Sequence, residues 1–408
     1  MCNEHIPLTR TTEVRTVRGA QARREQFLAL LRLSGIQGFG PHRISQCVAH
    51  FGSAHAVVHA DRNALVASGL VNAAGANAVI DCRKARIPAG VLNRFDQPRA
   101  SERIVLIGEP EYPALLRQIS QPPLWLWIRG PGSFQRGPCL AMVGSRNATQ
   151  WGIDKTREWC YRLAGAGVTI VSGLADGIDT AAHEGALDAG GQTLAVMGTG
   201  LDNVYPKRNR KLASEISQKG LLVTEFHPDE GARPHHFPRR NRIIAGLCQA
   251  TIVIEAGKGS GSLITAKMAQ DEGREVGLVS GRPGDRNAAG TNLGIRENIG
   301  ELISSIDDVL AMLKRQPAQT GVHPSGTSPN RQKKSESQST VAVQRRPAVY
   351  PDSLPGKIRV ALKNGPIALE DLQGATGLSR SSLEEALLDL LLDGWVVLEY
   401  DQRYRWRR

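Results

Sequence analysis

The chain has 408 residues, of which 41% are apolar and 22% charged, and its formal net charge is +12 at pH 7. This length predicts several domains, because single hydrophobic cores stop growing at roughly 250–300 residues. The composition is that of a globular protein. The positive charge favours an anionic partner, with nucleic acid first and a membrane surface second.

The sequence argues against an exported, anchored or zinc-binding protein. Its six cysteines are scattered, with no Cys-x-x-Cys pair and no histidine at zinc spacing, which is typical of reduced core thiols. The N-terminus lacks the apolar core of a secretion signal, and no later apolar run reaches the length of a bilayer span. We therefore expect a cytoplasmic protein with no bound metal and no membrane contact.

The N-terminal part is predicted to be a disordered polar tail (residues 1–23) followed by a small helical domain (24–95). This domain contains "GIQGFGPHRISQCVAHFG". Two glycines around Phe39, followed by Pro41 at a helix start, resemble the turn of a SAM or helix-hairpin-helix domain, whose backbone amides can hold a DNA phosphate. A plain helix-turn-helix in a small bundle is an equally good interpretation.

Residues 96–314 are predicted to form an α/β domain. After an entry segment, the apolar runs "CLAMVG", "VTIVSG", "TLAVMG", "LLVTEF", "ATIVIEA" and "EVGLVSG" alternate with helical segments. This alternation predicts a Rossmann-like, doubly wound parallel sheet. The loops after its strands should gather along one edge, where such folds bind ligands.

The C-terminal part is predicted to be a flexible linker (315–352) and a winged-helix domain (353–408). The linker is rich in Ser, Gln, Pro and Lys and has almost no apolar periodicity. The last segment has the pattern of three helices and a two-stranded ribbon.

Three loops of the α/β domain combine glycine and serine just before a helix start, where backbone amides and the helix dipole favour anions. Their candidate anion ligands are Gly144, Ser145 and Arg146, then Ser172, Gly173 and Gly177, then Lys258, Gly259, Ser260, Gly261 and Ser262. Each loop alone is a weak indication, because tight turns need glycine for steric reasons. The sequence has neither the Gly-x-Gly-x-x-Gly pattern after the first strand nor a Walker lysine, so we expect no NAD, ATP or other cofactor.

The stretch "ARPHHFPRRNRIIAGL" (232–247) contains four arginines and two histidines and no acidic residue. Its arginines are Arg233, Arg239, Arg240 and Arg242. We expect them to contact phosphates and Phe237 to stack on an unpaired base, since a duplex hides its base faces. Alternatively, Phe237 fills the core and some arginines pair with Glu225, Asp229 or Glu230.

The sequence gives little support for catalysis. Asp176, Asp179, His183 and Glu184 are close in sequence. Asp179 is more simply a helix cap and His183 a helix-face residue, and no second carboxylate cluster completes a two-metal site. We therefore expect a binding protein and not an enzyme.

Together these motifs resemble the bacterial DNA-processing protein A family (DprA, also called Smf). The resemblance rests on "EYPALLRQISQPPLWLWIRG", "VGSRNATQWG", "IVSGLADGIDTAAHEGAL", "TLAVMGTGLDNVYPKRN", "FPRRNRIIAGL" and "VIEAGKGSGSLITAKMA". It implies a homodimeric protein of natural transformation that binds and protects incoming single-stranded DNA and helps to load the RecA recombinase.

The resemblance also implies a set of DNA-binding residues. With the neighbouring Arg239 and Lys267 included, the predicted set is Gly144, Ser145, Arg146, Ser172, Gly173, Phe237, Arg239, Arg240, Asn241, Arg242, Lys258, Ser260, Gly261 and Lys267. Asp176 departs from the family pattern, where a basic residue is common, and should remove one phosphate contact.

Two other functions remain open from the sequence. Related Rossmann-like folds process or bind nucleotides in the same glycine loops. An accessible general acid or base near these loops would favour such an enzyme. A winged helix can also read duplex DNA, but the presumed recognition helix carries Glu384, Glu385 and Asp389, which do not suit a major groove.

Overall fold

The computed structural model describes residues 9–315, 354–392, 395–398 and 403–406. The helices are α1 (Thr9–Ser34), α2 (Pro41–Phe51), α3 (Ala54–His59), α4 (Arg62–Ala67), α5 (Ala73–Asp81), α6 (Ala89–Asp96), α7 (Ala114–Arg117), α8 (Gln150–Gly165), α9 (Ile178–Asp188), α10 (Arg210–Lys219), α11 (His236–Leu247), α12 (Gly261–Asp271), α13 (Ala289–Arg296), α14 (Ile306–Lys314), α15 (Leu354–Ala361), α16 (Leu369–Thr376) and α17 (Arg380–Leu392). The strands are β1 (Glu102–Leu106), β2 (Trp125–Arg129), β3 (Cys139–Val143), β4 (Thr169–Ser172), β5 (Thr193–Val196), β6 (Leu221–Thr224), β7 (Ala250–Val253), β8 (Glu275–Val279), β9 (Glu301–Ile303), β10 (Val396–Leu398) and β11 (Tyr404–Trp406).

The N-terminal helices pack against the sheet and share its core. Helix α1 begins at Thr9, so the expectation of a disordered tail through residue 23 is wrong for most of that segment. Its arginine, glutamate, glutamine and alanine residues have high helix propensity, which a judgement based on polarity alone overlooks. Phe27 of α1 stacks on Phe95 of α6, and it meets Trp127 of β2 edge-on at 6.1 Å between ring centroids.

Strands β1 to β9 form one sheet in the order β1-β2-β6-β5-β4-β3-β7-β8-β9. The seven strands from β3 to β9 run parallel, which confirms the predicted parallel sheet. Strands β3 to β7 are buried along their whole length, as expected for strands covered by helices on both faces. The entry segment adds β1 and β2, which pair antiparallel with each other, and β2 also pairs antiparallel with β6.

The chain winds in two directions from β3. It passes through β4 and β5 to β6, then returns to the other side of β3 and continues through β7 and β8 to β9. Helices α8 and α9 cover one face of the sheet, and α11 and α12 cover the other. Because β3 and β7 are neighbours, the loops that follow them flank the crevice where folds of this class bind ligands.

The C-terminal elements have a small core of their own. Helices α15, α16 and α17 and the antiparallel pair β10–β11 are built around Ile358, Leu362, Leu372, Leu383, Leu387, Leu390, Val396 and Tyr404. Of the predicted linker, only Arg315 lies in the described part, where it pairs with Glu275 at 3.1 Å and Glu301 at 2.5 Å, so this residue belongs to the sheet domain. The remainder, 316–352, lies outside the described residues. Within the described ranges, no helix has the length and apolar character needed to span a membrane.

A buried ion-pair network ties the N-terminal helices to the sheet. Glu102 of β1 accepts hydrogen bonds from Arg94 of α6 at 2.8 Å and from Arg129 of β2 at 2.9 Å. Asp202 contacts both arginines, at 3.1 and 2.8 Å. Burial alone would raise the pKa of Glu102, but the hydrogen bonds from Arg94 and Arg129 outweigh it and lower this pKa.

We predict that Glu102→Gln lowers the free energy of unfolding by about 3 kcal/mol, because it leaves two partly buried arginines with a single carboxylate. Glu111→Gln is the matched control, since the pair of Glu111 with Arg103 is more exposed and should contribute less than about 1 kcal/mol. Urea unfolding at pH 7 measures both. Because the folded-state pKa of Glu102 is lowered, its contribution is present above about pH 4 and disappears as the pH falls through that pKa. Equal losses in the two variants would contradict the prediction.

Candidate nucleic-acid interface

The loops at the carboxyl ends of the parallel strands lie together, as the sequence predicts. We call residues 144–149, 173–177, 197–209 and 254–260 the loop edge. The Ser145 N–H donates to the carbonyl of Glu255 at 2.7 Å, and the Ile178 N–H donates to the carbonyl of Ser145 at 3.2 Å. The loops after β3, β4 and β7 are therefore joined by main-chain hydrogen bonds.

Most glycines of the loop edge are explained by packing. A Cβ atom at position 144 would lie 2.5 Å from Ile178 Cγ1, and one at position 173 would lie 2.6 Å from the guanidinium of Arg240. Gly177, the N-cap of α9, has φ = 72°, which disfavours any side chain. Gly261 differs, because a Cβ there would meet no atom within 4 Å. Of these four positions, only Gly261 leaves open space for a ligand.

Arg240 is buried beneath the loop edge, which corrects the expectation that it contacts phosphate. Only 4% of its surface is exposed. Its Nη1 donates to the carbonyl of Gly173 at 2.6 Å and to the carbonyl of Val196, so it bridges the ends of β4 and β5. Burial lowers the pKa of Arg240 to about 10, with Asp179 opposing this shift, so the group stays protonated at neutral pH.

Asp179 and His183 are also buried. Asp179 is not the helix cap that we expected, because Gly177 holds that position and the Asp179 carboxylate accepts from the N–H groups of Gly173 at 3.0 Å and Ala175 at 3.4 Å. Burial raises the pKa of Asp179. Burial also lowers the pKa of His183 to about 3, and its Nδ1 lies 2.7 Å from the hydroxyl of Thr193. Neither group is placed to meet a substrate.

Phe237 is a core residue in this structure, as the alternative interpretation proposed. It is 4% exposed and lies edge-on to Tyr205, with 5.5 Å between ring centroids. The guanidinium carbons of Arg146 and Arg240 lie 6.0 and 5.9 Å from its ring centroid. The ring therefore supports the loop edge from below and does not present a face for base stacking.

Two arginines of the basic stretch pair with Glu225, as the alternative interpretation of this stretch proposed. Arg239 and Arg242 donate to Glu225 Oε2 at 2.8 and 2.6 Å. Burial lowers the pKa of Arg242, whereas Arg239 remains half exposed. Asn241 Nδ2 lies 3.5 Å from the carbonyl of Gly261 and links α11 to the start of α12.

The predicted set thus divides into buried and accessible members. The buried members are Ser172, whose hydroxyl donates to Met142 O at 2.6 Å, and Gly173, Phe237 and Arg240. The accessible or half-buried members are Gly144, Ser145, Arg146, Arg239, Asn241, Lys258, Ser260, Gly261 and Lys267, whereas the side chain of Arg242 is only 11% exposed. Lys267 lies farther along α12, 3.9 Å from Asp271.

The prediction missed Lys207 and Arg208, both exposed on the loop edge. Asn209 is buried beside them and donates to the carbonyl of Leu174 at 2.9 Å, which holds this turn against the loop after β4. Arg208 donates to the carboxylate of Asp176, so the acid that departs from the family pattern is paired with a basic residue. The basic run "PKRNRK" (206–211) is the sequence feature that could have identified them.

Both the sequence and the fold of this chain resemble known proteins. A family model described as DNA recombination-mediator protein A matches residues 103–314. Protein Smf of Synechocystis sp. is 33% identical over 395 residues, covering 92% of this chain and 98% of the relative. DNA processing protein DprA of Streptococcus pneumoniae is 44% identical over 200 residues, covering 49% of this chain and 70% of that protein.

Two solved structures extend the comparison. The X-ray structure of the S. pneumoniae protein covers 70% of this chain and 97% of its own, with 35% identity and a TM-score of 0.59. The structure of DNA processing protein A from Helicobacter pylori, which concerns the single-stranded DNA binding mode of that protein, covers 52% of this chain and 95% of its own. It has 27% identity and a TM-score of 0.47.

We predict that Arg240→Ala lowers the free energy of unfolding by about 3 kcal/mol, because it removes a buried donor from two strand-end carbonyls. Arg239→Ala is the matched control on the same helix, and it should cost less than about 1 kcal/mol because that side chain is half exposed. Equilibrium urea unfolding followed by tryptophan fluorescence measures both. A small and equal effect in the two variants would show that Arg240 does not support the loop edge.

Proposed function

We propose that this chain, which belongs to the DNA recombination-mediator protein A family, binds single-stranded DNA at the loop edge. In this proposal it acts in the cytoplasm during DNA uptake, protects the incoming strand and helps to load a RecA-class recombinase onto it. The description of the family as a recombination mediator supports the step that involves a recombinase.

The observation that carries the proposal is the gathering of basic side chains on one edge of the sheet. Arg146, Lys207, Arg208 and Lys258 come from three different loops, and each is exposed or half-buried. Beneath them, the side chains of Arg240 and Asp179 form internal hydrogen bonds with main-chain groups. A strip of accessible positive charge over a rigid base suits a phosphate backbone, because each neutralised phosphate releases counterions.

The placement of these residues favours a single strand over a duplex. Proteins that read duplex DNA insert a helix or a two-stranded ribbon into the major groove. Here the basic residues lie on loops at the end of a sheet. A flexible single strand can follow such a path with its phosphates on the charged loops.

We also propose that the chain binds DNA without catalytic turnover. The nucleotide-processing alternative needs an accessible acid or base, yet Asp179 and His183 are buried and Asp176 is paired with Arg208. Glu184 lies on the surface of α9, 3.4 Å from Arg157. In the part of the chain that the structure describes, no group of three potential metal ligands is found.

We also propose identities for the small N-terminal and C-terminal helical units. We assign a winged helix to α15–α17 with β10 and β11, and a SAM or helix-hairpin-helix domain to the N-terminal helices, where α2 begins at Pro41 after Gly40. A homodimer is proposed from the sequence resemblance alone. We do not expect the winged helix to be the main DNA site, because its third helix is rich in acidic residues.

We predict that the protein retains labelled single-stranded oligonucleotides in filter binding far better than duplexes, with affinity falling steeply as salt rises. Arg146→Ala and Lys258→Ala should each weaken binding and reduce the slope of log affinity against log salt by about 0.7, the value for one single-strand phosphate contact. Lys219→Ala is the matched control, because it removes an exposed lysine at the opposite edge of the sheet, just before β6. Equal affinity for duplex and single strand, or an equal loss in the control, would refute the proposal.

A further inference from the structure

An exposed tryptophan stands beside the loop edge. The described residues contain two large aromatic side chains that are more than half exposed, Trp151 at 51% and Tyr161 at 52%, and both lie on α8. Trp151 is the second residue of this helix, directly after the loop that carries Arg146. Tyr161 is ten residues further on, about 15 Å along the helix axis.

The first turn of α8 is held so that Trp151 faces away from the core. Thr149 caps the helix by accepting from the Gly152 N–H at 3.1 Å, and Thr149 is itself bound to the buried carboxylate of Glu255 at 2.8 and 2.5 Å. Gly152 lies against the same carboxylate, since a Cβ there would be 2.7 Å from Glu255 Cδ. Successive helical residues are separated by about 100°, so a helix anchored through Gly152 turns its neighbour Trp151 outward.

Position and not exposure alone distinguishes Trp151. Single exposed apolar side chains are common on protein surfaces. This one directly follows the loop that carries Arg146, and Thr149 ties the start of its helix to Glu255 in the loop after β7. Single-stranded DNA is bound by such a combination of positive charge and accessible aromatic rings, and the aromatic residue expected from the sequence, Phe237, is buried.

We propose that Trp151 stacks on an unpaired base of the bound strand while Arg146 contacts an adjoining phosphate. This inference rests on the proposed function, because it names the base-binding residue of the same site. The indole provides a large flat face, and a base that stacks on it covers apolar surface that the free protein leaves in water. Stacking accepts any base, so the contact adds affinity without sequence preference.

The test compares the wild type with four variants whose melting temperature is first shown to be unchanged: Trp151→Ala, Trp151→Phe, Trp151→Leu and Tyr161→Ala. With oligothymidylate as the probe, Trp151→Ala should weaken binding by about tenfold or more, with the salt slope unchanged because stacking releases no counterions. Trp151→Phe should retain most of the affinity and Trp151→Leu should not. Tyr161→Ala, an equally exposed aromatic on the same helix, is the matched control and should bind like wild type.

Two further measurements separate stacking from other contacts. An abasic oligonucleotide of the same length should bind wild type and Trp151→Ala equally, since its backbone is intact but it offers no base. Oligothymidylate should quench part of the wild-type tryptophan fluorescence, and this part should be missing in Trp151→Phe. Equal binding of oligothymidylate by wild type and Trp151→Ala would overturn this inference and leave the proposed function standing. Failure of the wild type to bind any single strand would overturn both.

Discussion

The guanidinium group of Arg240 joins the carboxyl ends of β4 and β5 from inside the protein, and the geometry of the loop edge depends on it. The carbonyls of Gly173 and Val196 accept its hydrogen bonds, and the missing side chain of Gly173 leaves the space that it fills. A buried cation is costly unless it is hydrogen-bonded and its charge is balanced. Asp179, held by two loop amides, provides the opposing charge nearby.

This internal support divides the basic residues into two groups with different roles. Arg240 and Arg242 are turned inward and stabilise the loops and the helix that carries them. Arg146, Lys207, Arg208 and Lys258 stand outside on those loops. The outer group can bind and release a polyanion without disturbing the core, because the loops beneath it are already fixed by internal hydrogen bonds.

The sequence allowed the parallel sheet and the convergence of its loops to be predicted, since the strands from β3 to β8 are short apolar runs that alternate with helical segments. It did not reveal which arginines are buried. Helix α11 begins at His236, so Phe237, Arg240 and Ile244 fall at positions i, i+3 and i+7 and share the buried face. Pro238 hides this periodicity, because proline usually marks a loop but is tolerated in the first turn of a helix.

Other features were missed because they depend on contacts between distant parts of the chain. Strands β1 and β2 were assigned to an entry segment, and they join the sheet because β2 pairs antiparallel with β6, which lies about one hundred residues away. The exposure of Trp151 was not predicted either. The sequence does not show that Gly152 packs against Glu255, and this contact turns the indole outward.

The most direct test of this account is the salt dependence of single-stranded DNA binding by Arg240→Ala, measured well below its melting temperature. If Arg240 supports the loops from inside, the variant should bind more weakly because the loop edge is disordered. The slope of log affinity against log salt should equal that of the wild type, because no phosphate contact is removed. A slope smaller by about 0.7, with stability unchanged, would show that Arg240 contacts the phosphate backbone and would contradict the account.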